Sequence, residues 1–207
     1  MRDLKIGDWL DDLASESSAP GGGAAAALDA AVGAALISMV CNLTIGRPKY
    51  AEYDDTNKAA LESATKLRTE ALQLAEADEA AFTKVTDAYK LPRATDEEKA
   101  ARTAAIQASL IDAAGVPLRT AALCAEIISL AVKIEPGSNT NLISDVAVAA
   151  ASARAALDSA ALNVEINLAA MNDAANRDRI AAELKQYTAA MPDADAIVAK
   201  IRGRITG

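Results

Sequence analysis

The run AAAALDAAVGAALISMVCNLTI at residues 24–45 is apolar round most of a helical circle, with Asp29 its one charge. Such a pattern predicts a helix buried on nearly every side, and Gly46 and Pro48 end it. Upstream, Leu4, Trp9 and Leu13 form the apolar edge of a short predicted helix over residues 5–15, and residues 17–23 then break helicity. Residues 52–89 instead alternate apolar and charged positions with a helical period. At about 1.5 Å per residue that helix would span roughly 55 Å. A compact domain of this size needs less, so a scaffold or a subunit interface is expected there.

Thr95 and Glu98 make a capping-box pattern that starts the next helix. Gly115 and Pro117 are expected to bend or divide it before it resumes through LRTAALCAEIISLAVKI and stops at EPGSNTN. From Ile143 onward, Val146, Ala150, Leu157, Ala161, Val164 and Leu168 recur at helical spacing, giving a fifth long helix with a second, small-residue face. Two shorter helices, divided near Met191 and Pro192, complete the chain. Strand signals are nearly absent, so the expected fold is all-α, a multihelical bundle of long antiparallel helices. No linker, composition shift or repeat divides residues 1–207, which are expected to form one domain.

Hydrophobic residues make up 52% of the chain but aromatics only 3%, so the interior must be built by backbones approaching closely. A net charge of −8 without a polybasic run argues against nucleic acid and against an acidic membrane surface as partners. Residues 30–45 approach membrane-span character, yet bounding Asp29, interrupting Asn42 and the many alanines favour a buried helix. The N-terminal MRDLKIGDWLDDLAS has no secretory pattern, and Cys41 and Cys124 sit in apolar runs as inert thiols; a cytoplasmic location is expected. The chain has no histidine. That excludes Ser-His-Asp and Cys-His catalysis and the commonest zinc arrangements, leaving Asp, Glu, Lys, Tyr or Cys for acid–base work.

Three constellations carry candidate chemistry. Gly21, Gly22 and Gly23 precede the apolar helix, where main-chain amides and the positive helix end suit an anion or a carbonyl oxygen. They permit conformations closed to other residues and remove side chains that would keep a ligand from those amides; the plainer reading is a turn that merely lets two helices pack. A dinucleotide fingerprint over Gly21, Gly23 and Ala26 is rejected, because DDLASESSAP is no buried strand and no ribose-binding acid follows at the right place. At the far end of the helix, GRPKY groups Arg47, Lys49 and Tyr50, offering an amine or phenol for proton transfer; cations that merely complement the helix dipole are the plainer reading. In GSNTNLISD, Ser138, Asn139, Asn141 and Ser144 crowd polar groups before an apolar helix whose first turn carries Asp145. Asp145 is the first acid to consider, since a carboxylate entering a buried helix needs a partner. Asp78 in AEADEAAF and Asn163 in AALNVEINLAA are secondary candidates that ordinary helix roles would also explain.

APGGGAAAALDAAVGAALISMVCNLTIGRPKY, DEEKAARTAAIQASL and NTNLISDVAVAAASARAALDSAALNV together resemble the cyclodeaminase/cyclohydrolase family of folate enzymes, from about Trp9 to Asn167. The resemblance implies an all-helical, usually homodimeric fold acting on the one-carbon bridge of tetrahydrofolate without metal or added cofactor. On it, Pro20, Gly21, Gly22 and Gly23 match the glycine loop, Lys49 and Tyr50 the helix-end pair, and Asn139, Asn141 and Asp145 the polar loop and carboxylate. Ala24 stands where the family often has serine, so no hydroxyl at that position is required here. The implied reaction is hydrolysis of 5,10-methenyltetrahydrofolate to 10-formyltetrahydrofolate. Asp145 is expected to take the water's proton and Lys49 or Tyr50 to protonate the departing nitrogen. Asn42, Arg47 and Ser144 join the glycine and polar loops as candidate substrate contacts. The alternatives are cyclodeamination of formiminotetrahydrofolate, a non-catalytic folate-binding dimer, and a purely structural bundle. All of these except the last expect the glycine loop, Lys49 with Tyr50, and Asp145 to converge around one cavity, either within one chain or between neighbouring copies.

Overall fold

The computed structural model describes residues 4–207, and every regular element among them is helical. The helices are α1 (Ile6–Leu13), α2 (Gly22–Thr44), α3 (Asp54–Lys90), α4 (Asp96–Ile134), α5 (Ile143–Ala169), α6 (Ala174–Thr188) and α7 (Met191–Thr206). Short 3₁₀ turns at Pro48–Tyr53, Glu135–Gly137 and Thr140–Leu142 connect them around the polar loop.

Helix α2 is flanked by α3 and α5, and α4 packs behind all three. It runs antiparallel to α5: Gly22 lies beside Asn163, Gly33 beside Ala149 and Ala153, and the chain after Thr44 beside Asn139. Ala24, Ala26, Ala27, Ala30 and Ala34 are fully or almost fully buried, so the helix meets its neighbours through side chains of one carbon. Gly33 carries this furthest, since a Cβ there would stand 3.2 Å from the Ala149 carbonyl oxygen. Backbone contact thus replaces the bulk that the missing aromatics would have supplied.

On α3 the buried stripe is Asn57, Ala60, Ala64, Leu67, Ala71 and Ala75, and Asp78 continues it at the same spacing. Helix α4 begins with the expected capping box: Thr95 Oγ1 accepts from the Glu98 N–H at 3.1 Å, and Glu98 Oε2 accepts from the Thr95 N–H at 3.1 Å. The expected division at Gly115 and Pro117 does not occur, and α4 runs unbroken for 39 residues. Pro117 lies on the buried face of α4 with Ala114, Leu118 and Ala121, and the packing of that helix against α3 and α5 offsets the roughly 3 kcal/mol that an interior proline costs. Helix α2 also starts earlier than expected, so Gly22 and Gly23 lie within its first turn.

Gly22–Thr44 and Asp96–Gly137 are apolar and long enough to cross a membrane, but 61% and 56% of their apolar windows are buried inside this fold. Cys41 and Cys124 are free and buried, and burial pushes their thiols up to about 11 and about 12, which keeps them protonated.

If α2 and α5 touch through their backbones, Gly33→Leu must push them apart. A loss of about 1–3 kcal/mol is expected, read as a lower urea midpoint with an unchanged slope. An unchanged midpoint would show that the helices have room to spare.

Candidate active site

At its N-terminal end, α2 meets a carboxylate from α3. None of Gly21, Gly22 and Gly23 has a positive φ; Gly46, at +76°, is the one glycine that does among the described residues. The triplet is therefore not a conformational device, as the sequence pattern suggested. Space is the reason for Gly23: a Cβ there would lie 2.2 Å from Asp78 Oδ1. Gly22 is less constrained, with Asn163 Nδ2 at an ordinary 3.5 Å. Burial pushes the Asp78 carboxyl above its usual range; the Ala24 backbone N–H draws it back and neighbouring Glu79 adds to the rise. No cation pairs with Asp78 among the described residues. Trp9, 4% exposed, packs on Ala24, Ala27 and Ala75 and roofs this end of α2, while Pro20 is half-buried in the preceding loop.

The C-terminal end of α2 is held by a polar network. Thr44 Oγ1 donates to the Val40 carbonyl at 2.7 Å and accepts from the Asn139 N–H at 3.0 Å. Asn57 Nδ2 donates to the carbonyls of Tyr53 at 3.0 Å and Gly137 at 3.3 Å, tying the start of α3 to the same loop. Gly137 has no room for a side chain, because a Cβ would lie 2.2 Å from the Tyr53 ring. Buried Glu135 pairs with Lys200 at 2.6 Å and with Arg204, which anchors the loop to α7.

Tyr50 stands inside this network. Its Oη accepts from the Thr140 N–H at 2.9 Å and lies 3.1 Å from Thr140 Oγ1, and Lys49 Nζ lies 5.2 Å from its ring centroid. The Thr140 hydroxyl, then its N–H, and to a lesser degree Lys49 stabilise the phenolate against the opposing effect of burial, and bring Tyr50 down to about 8. Asn139 is nearly buried, and its Oδ1 accepts from the Asn141 N–H at 3.1 Å, so these two shape the loop. Arg47 Nε donates to the Leu43 carbonyl at 2.5 Å, which is the dipole-complementing role. Asn42 and Ser144 are exposed, and Asp145 is half-buried in the first turn of α5, without a partner among the described residues.

Lys49, Tyr50, Asn139 and Asn141 are thus gathered at one end of α2, near the start of α5. The glycine loop is not with them: the 23 residues of α2 separate it by about 33 Å at the rise of an α-helix. The expected convergence on one cavity does not occur within a single chain, because a straight buried helix cannot bring its own ends together. Asp78, a secondary candidate in the sequence, is placed against the glycine turn, and Thr44, Asn57 and Thr140 join the polar network without having been singled out by the sequence pattern. A usable signal existed for two of them, since Asn57 and Asp78 are polar residues on an otherwise apolar stripe of α3.

A family profile described as Formiminotransferase-cyclodeaminase matches residues 5–186. The chain belongs to that family. Within it, the chain is 45% identical over 196 residues to a protein of Methylorubrum extorquens named Methenyltetrahydrofolate cyclohydrolase, covering 95% of this chain and 93% of that one. It is 34% identical to the Formimidoyltransferase-cyclodeaminase of Rattus norvegicus over 84% of its own length, but spans only 32% of that longer protein. Among solved structures, the formiminotetrahydrofolate cyclodeaminase of Thermotoga maritima matches with a TM-score of 0.89 at 28% identity, over 100% of this chain and 99% of that one.

Two measurements check the geometry of the two ends. Ultraviolet difference titration should show one tyrosinate forming near pH 8, well below an ordinary phenol, and Thr140→Val should move it part of the way back. A titration in which all tyrosines ionise together would remove the Thr140 effect. Gly23→Ala should lower the unfolding free energy by about 1 kcal/mol or more, read from the urea midpoint at unchanged slope, and by clearly less in an Asp78→Ala background. Equal losses in both backgrounds would separate the glycine from the carboxylate.

Proposed function

We propose that the protein hydrolyses 5,10-methenyltetrahydrofolate to 10-formyltetrahydrofolate. The observation that carries this reading is the 45% identity, nearly end to end in both chains, with a protein named methenyltetrahydrofolate cyclohydrolase. The working form is a soluble cytoplasmic homodimer that takes a folate as substrate.

The chemistry needs two groups. The bridging carbon of the substrate lies between two nitrogens and carries amidinium charge, so a nearby anion stabilises it and a base takes the proton of the attacking water. Breaking the carbon–N5 bond then requires a proton on N5. Asp78 suits the first role, as a desolvated carboxylate without a cation, held over the first turn of α2. Tyr50, with Lys49 beside it, suits the second, because a phenol near pH 8 is protonated at neutrality yet gives up its proton readily. Asp145 is the competing base. Pro20, Gly21 and Gly22 with Asn163 line the pterin side in this reading, and Arg47, Asn139, Asn141 and Ser144 the other.

A second reading, cyclodeamination of formiminotetrahydrofolate, is favoured by the name of the solved structure that covers the whole chain. Offering the purified protein each folate separates them: loss of methenyl absorbance should be the faster process, and faster ammonia release would replace the hydrolase by the deaminase. Asp78→Asn should lower kcat at least about a hundredfold with an unchanged urea midpoint, and Asp145→Asn less than about tenfold. The reverse order would move the base to Asp145.

A further inference from the structure

The loop between α4 and α5 is tied down residue by residue, each time to a different part of the fold. The Gly137 carbonyl accepts from Asn57 of α3, the Asn139 N–H donates to Thr44 of α2, and Thr140 holds Tyr50. Ser138 Oγ donates back to the Ile134 carbonyl at the end of α4, 2.8 Å away. Glu135, where the loop begins, is tied by charge instead: Oε2 meets Lys200 of α7 and Oε1 meets Arg204. We propose that Glu135 is a positioning residue for Tyr50. Gripped by α7, it fixes where α4 ends and so holds the Thr140 N–H and hydroxyl against the phenol oxygen. For the proton that Tyr50 delivers this rests on the hydrolase reading; the geometry stands apart from it.

Stability alone is a poor reason for this ion pair. The Glu135 side chain is 4% exposed, whereas Lys200 and Arg204 are 59% and 46% exposed. A carboxylate is thus stripped of water while its cations stay wet, and an apolar side chain commonly fills such a space with no loss of stability. What the pair supplies is direction. Lys200 and Arg204 stand one helical turn apart and each takes a different oxygen, so the carboxylate is fixed against both rotation and sliding along α7. Helix α7 is a firm post for it, since Ala194, Ile197 and Ile201 are sunk in the core.

The path from Glu135 to Thr140 is short and stiff. Pro136 has a fixed φ, and Gly137 is pressed on the Tyr53 ring without room for a side chain. A shift at Glu135 is therefore carried to Thr140 rather than absorbed, and a hydrogen bond weakens steeply with misalignment. The sign of the effect separates position from charge. Charged groups at this end of the bundle are Arg47, Lys49 and Glu52 on the turn of Tyr50 itself, Asp54 at the start of α3 and Asp145 in the first turn of α5. Lys49 is the one among them whose field acts on the phenol. Were Glu135 to act through its own negative charge, neutralising it would ease the ionisation of Tyr50; acting through position, it does the opposite.

The test reads Tyr50 in the full-length protein by ultraviolet difference titration, with Tyr50→Phe identifying its signal. Glu135→Gln should raise the low tyrosinate midpoint from about 8 by about half a pH unit or more. In a Thr140→Val background the same change should move it by clearly less, because both act through one pair of hydrogen bonds. Where Glu135→Gln fails to fold, Arg204→Gln, at a half-exposed position, should give the same rise and the same dependence on Thr140. Glu70→Gln, which breaks the comparable pair with Arg119 between α4 and α3, should leave the midpoint in place. On methenyltetrahydrofolate, kcat of Glu135→Gln should fall about tenfold or more at nearly native KM, with its pH profile shifted alongside the tyrosinate. An unmoved or lowered midpoint overturns the proposal, as does a shift that ignores Thr140→Val or one that Glu70→Gln matches. A raised midpoint with native kcat keeps the geometry and removes Tyr50 from the mechanism. A native protein inactive on methenyltetrahydrofolate would sink the hydrolase reading, and the titration would still decide the role of Glu135.

Discussion

The contact on which everything else depends is the approach of α2 to α3 and α5 through side chains of one carbon or none. Alanine and glycine at this seam let backbones touch, and many small dispersion contacts replace a few large hydrophobic ones. Such a seam leaves little freedom to slide, because even one added carbon at Gly33 would stand 3.2 Å from the Ala149 carbonyl oxygen. Helix α2 is therefore a rod of fixed length, and whatever stands at its two ends is held about 33 Å apart.

The two ends are opposite in their electrostatics. At the first turn a carboxylate loses water and is pushed toward its neutral form, while at the last turn a phenol gains donors and is drawn toward its ionised form. Burial dominates one and hydrogen bonding the other. Both shifts run toward neutrality, which is the direction acid–base chemistry requires. The same α3 stripe serves both ends, with Asn57 bracing the polar loop and Asp78 covering the glycine turn. Glu135 with Lys200 and Arg204 holds the polar loop from the other side, so the C-terminal helix contributes to the position of Tyr50 without touching it.

Much of this was readable before any coordinates. The helix order, the long α3, the capping box at Thr95 and the turns after residues 44 and 134 all follow from local periods and local caps. Pro117 misled because its cost is local, while the burial that offsets it comes from α3 and α5. Gly23 misled in a different way. Three glycines in a row suggest unusual backbone angles, but the need here is for volume, and the group that fills it is Asp78, far along the chain. Asp78 and Asn57 were legible as polar positions on an apolar stripe. Thr140 was not, since nothing local marks one hydroxyl in GSNTN as the partner of a tyrosine ninety residues earlier.

By itself, then, the sequence determined the helical class, the extents of most helices, the absence of histidine chemistry and the family to which the chain belongs, because these rest on composition, period and motif. Tertiary structure decided which polar groups meet: Asp78 with the glycine turn, Tyr50 with Thr140, and neither with the other. Hydrogen bonds and desolvation act over a few ångströms in space, so they depend on how the helices stack, and that is set by long-range packing rather than by any local stretch of residues.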